Sequence, residues 1–162
     1  MTWSRGRVTV ERLLRDGELE QVVASAELAE RLMEDAGRHL VSATAIASSD
    51  PNGAYQLAYD AARKACAALL AQQGLRTTTR GGHVAVQDAI RDQFNGDGGL
   101  PAFRSFSRLR RARAAREYPD VGSPTTTAED IDDALQGASE IVAAARQLLA
   151  TGRLDHFAPS TS

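Results

Sequence analysis

The segment FRSFSRLRRARAAREY places Arg104, Arg108, Arg110, Arg111, Arg113 and Arg116 within thirteen positions, a local charge of +6 on a chain of net charge −2. No acid interrupts the row. A basic stripe of this kind attracts phosphates by Coulomb attraction and counterion release, and the same composition also occurs on merely solvated helices. At about 100° per residue, Phe103, Phe106, Arg110, Arg113 and Glu117 share an arc of roughly 80°, whereas Arg104, Arg108 and Arg111 point elsewhere. Arg110 and Arg113 therefore extend an apolar face, where a charge needs a partner, and Glu117 can supply one to Arg113 at i+4. Two readings follow from this spacing: a phosphate-binding groove, or a structural Arg–Glu pair with snorkelling stems.

The other reactive side chains form no constellation. His39, His83 and His156 lack metal-ligand spacing to one another, so no metal site is expected. His83 follows Gly81-Gly82 at a helix start and reads as a cap or turn residue rather than a catalytic base, although a helix N-terminus would favour its neutral form. The RGGH run lacks the lysine and spacing of a phosphate-binding loop. Tyr55 and Tyr59, at i and i+4, read as core. Cys66 is the sole cysteine, which excludes an internal disulfide and points to a reducing compartment.

These side chains must be carried by helices. The chain has 162 residues, 43% apolar and 25% charged, with 5% aromatic content, 29 alanines and 18 arginines against one lysine. That is an ordinary globular composition, sized for one domain and biased towards helix. Neither a signal-peptide-length apolar stretch at MTWSRGRVTVERLL nor an uncharged run long enough for a membrane span occurs, so a cytoplasmic location is expected. A short helix is expected over 8–15, within an N-terminal extension 1–24. Ser25 caps a long helix over 26–48, and Asp50-Pro51 stops it and starts a second over 51–73, ended by Gly74. A third runs over 83–94, closed by an NGDGG loop, and a fourth over 101–117, ended before Pro119. Thr126 or Thr127 caps the last, through 150, with Glu129, Asp130, Asp132 and Asp133 placed favourably for the helix dipole. The expected architecture is all-α, an up-and-down bundle of four to five helices over 25–152, with a flexible tail over 153–162.

The block GAYQLAYDAARKACAALLAQQGLRTTTRGGHVAVQDAI, followed by RLRRARAAREYP, resembles the HEPN (higher eukaryote and prokaryote nucleotide-binding) superfamily, in a branch frequent in actinobacteria. The likeness spans about residues 17–150. It implies a two-fold homodimer whose groove holds an Arg-x4-6-His motif, a metal-independent ribonuclease activity without cofactor, and a place in toxin–antitoxin or related defence systems beside a nucleotidyltransferase-type antitoxin or partner. On this chain Arg113 matches the motif arginine, Tyr118 stands where the superfamily has His, and Ala114 replaces the usual Asn or other polar residue, as a loss or a silencing substitution. The resemblance thus assigns catalysis to Arg113, Glu117 and Tyr118, RNA contacts to Arg108, Arg110, Arg111 and Arg116, and a possible nucleotidylation acceptor to Tyr118. A phenol is a poor base at neutral pH, so a non-catalytic nucleotide- or RNA-binding partner stands beside the ribonuclease, with a plain helical interaction module as a third class.

Overall fold

The computed structural model describes residues 5–94 and 101–158. In chain order these form α1 (Arg7–Arg15), β1 (Leu19–Gln21), α2 (Ala26–Ile46), α3 (Pro51–Gln73), β2 (Leu75–Thr77), α4 (Gly82–Phe94), a 3-10 turn (Pro101–Arg104), α5 (Ser105–Glu117) and α6 (Ala128–Ala150). The expected NGDGG loop and the four N-terminal and four C-terminal residues lie outside the described residues.

Local chemistry sets the helix starts. Ser25 accepts a hydrogen bond from the Leu28 amide, and Asp50 accepts one from the Gly53 amide with Pro51 at the first helical position. Thr127, not Thr126, caps α6 through a reciprocal box with Asp130. Gly74 ends α3 at φ +79°, a conformation that suits glycine.

Helices α2, α3 and α6 pack together as the centre of a bundle. The side chains of α3 explain why it lies in the middle: Ala54, Ala58, Ala61, Ala62, Ala65 and Ala68 are fully buried, so α2 and α6 approach its backbone closely. Cys66 is buried in the same helix, and burial pushes its thiol pKa up, which leaves it unreactive as a nucleophile. α5 lies against α6 and α3, and α4 lies against α1 and α3.

The expected helical bundle is present, and it carries one element that an all-α reading omits, a two-stranded antiparallel ribbon that pairs Leu19 with Thr77 and Gln21 with Leu75. Its three-residue strands are too short for a period-2 pattern to stand out in the sequence. Leu19 and Leu75 point into the core, and the Glu20–Arg76 ion pair links the strands on the outside. The short helix expected in the N-terminal extension is α1, which packs on the fold with Val10 and Leu13 fully buried. α2 stops at Ile46 rather than at 48, with Ala47 as its C-cap. The fourth expected helix is divided: 101–104 winds as a tight 3-10 turn before α5 begins. The tail expected to be flexible from residue 153 docks at Phe157, whose ring is buried and whose amide donates to the Gln73 carbonyl at 2.7 Å.

Candidate functional site

α3 is buried on most sides, yet Gln56, Tyr59, Asp60 and Arg63 fall within an arc of about 100°. This arc forms a polar seam flanked by α2 on one side and by α4 and α5 on the other. Arg113 of α5 reaches into it. Its Nε donates to Gln56 Oε1 at 2.7 Å, its guanidinium ion-pairs with Glu117, and its Cζ lies 5.6 Å from the centre of the Tyr59 ring. The i+4 pair expected from spacing is therefore present, together with a cation–π contact.

Tyr59 is the hub of the seam. Its ring stacks on Phe106 with centroids 5.8 Å apart, and its hydroxyl lies 2.7 Å from His83 Nδ1. Burial pushes its pKa up to about 12, so the hydroxyl keeps its proton across the physiological range. His83 stands at the start of α4, held there by close packing: a Cβ on Gly81 would lie 2.1 Å from the Glu18 carbonyl oxygen. Burial, then the charges of Arg63 and Arg113, hold the His83 pKa below the usual imidazole range, and Asp60 and Glu117 offset this only in part. His83 is thus neutral near pH 7.

On the α2 side, Arg63 binds Asp60 through Nε at 2.9 Å, and His39 Nδ1 lies 3.1 Å from Asp60 Oδ2, close enough to pair but off the hydrogen-bond axis. Lys64 reaches Asp35 at 3.3 Å. Arg110 differs from these cations, because its partner is the neutral Gln87, whose Oε1 accepts from Nε at 2.6 Å. Its charge is fixed in place without being cancelled.

The residues assigned by the resemblance, with Arg104 beside them, separate into four groups. Arg110, Arg113 and Glu117 meet at the seam. Arg116 turns instead into the fold: its guanidinium lies 4.1 Å from the Tyr55 ring centre and bonds to Thr126, the Ala112 carbonyl and Asp130. Thr126 in turn donates to Asn52, so Arg116 braces α5 against α3 and α6. Arg104, Arg108 and Arg111 are exposed, and none has a hydrogen-bond or ion-pair partner among the described residues. Tyr118 is the C-cap of α5 with a side chain 79% exposed, and Ala114 is exposed one turn before it. Tyr118 has no side-chain partner among the described residues, so the structure brings it to none of the seam residues.

Sequence reading missed Gln56, Gln87 and the Tyr59–His83 pair. Tyr55 and Tyr59 are core as expected, at 5% and 1% exposure, but the Tyr59 hydroxyl also serves the seam. The only sequence signal was the polar arc on an otherwise alanine-rich helix. Among the described residues no group of His, Cys, Asp or Glu is placed to hold a metal ion, and no helix is long and apolar enough to cross a membrane. No protein-family model, curated protein or solved structure matches the chain.

Proposed function

We propose that the chain is an HEPN-like, metal-independent ribonuclease of a toxin–antitoxin or defence system, acting in the cytoplasm as a homodimer that binds RNA along α5, beside a nucleotidyltransferase partner. The observation that carries this reading is the state of the arginine row. Arg104, Arg108 and Arg111 are exposed without an acid partner among the described residues, and Arg110 is oriented by a neutral amide. Four uncancelled cations along thirteen positions make a strip of phosphate donors. An isologous dimer would set two such strips across one cleft.

A second reading, a non-catalytic RNA- or nucleotide-binding partner, is favoured by two details. Glu117 occupies Arg113, and Tyr118 is held by no side-chain contact among the described residues, so it lacks the fixed geometry a proton-transfer group needs. Both readings require RNA or nucleotide binding. Fluorescence anisotropy with a labelled single-stranded RNA, combined with light scattering, tests the shared part. Saturable binding by a species of twice 17.3 kDa is expected. Absence of RNA binding at low salt removes the ribonuclease reading, and RNA binding by a monomer removes the groove.

A further inference from the structure

We propose that His83 and Arg113, brought together by Tyr59, form a phosphate-binding cradle in which His83 donates its Nε2–H to a non-bridging phosphate oxygen. The inference rests on the RNA reading for its ligand, a phosphodiester, but the geometry comes from the seam alone. Tyr59 is 1% exposed and its hydroxyl has a single partner, His83 Nδ1, at 2.7 Å. A buried hydroxyl proton left without an acceptor costs about 1–3 kcal/mol, so the hydroxyl donates and Nδ1 accepts. Nδ1 then carries no proton, and the neutral ring bears its proton on Nε2. Nε2 lies on the other side of an exposed ring and has no partner among the described residues.

A phosphate enters this site by exchange with an acid. Arg63 and Arg113 are the two cations whose charges act on His83, and Asp60 and Glu117 are the acids that oppose them. Each acid already serves a cation, Asp60 with Arg63 and Glu117 with Arg113. The Gln56 amide fixes the Arg113 guanidinium from behind. Glu117 sits in the last turn of α5 with about a third of its side chain exposed, so a phosphate can replace its carboxylate on Arg113 by swinging one surface side chain aside. A neutral imidazole suits this task because its tautomer is set by a hydroxyl whose own proton is not lost below about pH 12.

Long-range proton–nitrogen NMR of the histidine side chains tests the tautomer in the unliganded protein, where a ring protonated on Nε2 at neutral pH is expected. A ring protonated on Nδ1 overturns the proposal without any variant. Titration with inorganic phosphate, and separately with a short single-stranded RNA, tests the cradle, and both should move the His83 and Arg113 side-chain signals. His83→Ala should weaken RNA binding about tenfold, and His83→Gln, which keeps an N–H donor near the Nε2 position, should stay within about twofold of the parent. Equal affinities for parent and His83→Ala overturn the cradle while leaving RNA binding along α5 intact. Phosphate shifts at His83 in a protein that fails to bind RNA have the opposite meaning: the cradle stands and the ribonuclease reading falls.

Discussion

Ala62→Leu should destabilise the protein by about 3 kcal/mol, read as a lower urea midpoint at unchanged slope. Ala62 is fully buried in α3, the helix that packs against both α2 and α6. The close approach of these helices depends on methyl groups, so three extra carbons have no space to enter without moving a neighbouring helix. Against a total stability of about 5–15 kcal/mol this is a large fraction. Ala67→Leu makes the comparison sharp. Ala67 lines an apolar cleft of about 360 Å³ with Leu28, Leu32 and Leu70, so the same added carbons meet open space and the effect should stay below about 1 kcal/mol. Equal losses for the two variants would mean that α3 is not the close-packed centre.

Ala114→Asn combined with Tyr118→His should raise RNA cleavage at least tenfold over the parent chain. The pair restores the polar residue after Arg113 and puts an imidazole at Arg-x4 spacing, whose titration near neutrality permits proton transfer where a phenol does not. Both positions are exposed at the end of α5, so the substitutions leave Phe106 and Leu109, the buried side chains of that helix, untouched. Any change in activity can then be read as chemistry rather than folding. In the Ala114→Asn background, Tyr118→Phe separates the roles: loss of cleavage marks the hydroxyl as part of the reaction, whereas intact cleavage with loss of nucleotide transfer marks it as an acceptor. Intact RNA with the double variant, under conditions where it is folded and dimeric, would leave the non-catalytic partner in front.

The helix starts at Ser25, Asp50-Pro51 and Thr127 were legible because each is fixed by side chains within three residues of the backbone amides they satisfy. The β1–β2 ribbon was not, because its strands pair across the whole α2–α3 segment, Leu19 with Thr77 and Gln21 with Leu75. At the site the same division holds. Arg113–Glu117 is an i,i+4 pair and could be read from spacing. The partners that distinguish Arg110 from Arg116 could not: Gln87 leaves one charge uncancelled, whereas Tyr55 and Asp130 bury the other. The resemblance grouped Arg116 with the RNA contacts, but the packing of α5 on α3 and α6 turned it inward. His83 illustrates the limit most plainly. Its sequence neighbours mark a turn, and its chemistry is set by Tyr59, 24 residues away on another helix.

The central claim is that RNA is held by phosphate contacts from the arginines along α5. Its most direct test is the slope of log affinity against log salt for a single-stranded RNA, measured for the parent and for Arg110→Ala combined with Arg113→Ala. Each phosphate contact to a single strand contributes about 0.7 to that slope, so the double variant should be shallower by about 1.4 and weaker at low salt. An unchanged slope in the double variant would contradict the assignment of phosphate contacts to Arg110 and Arg113.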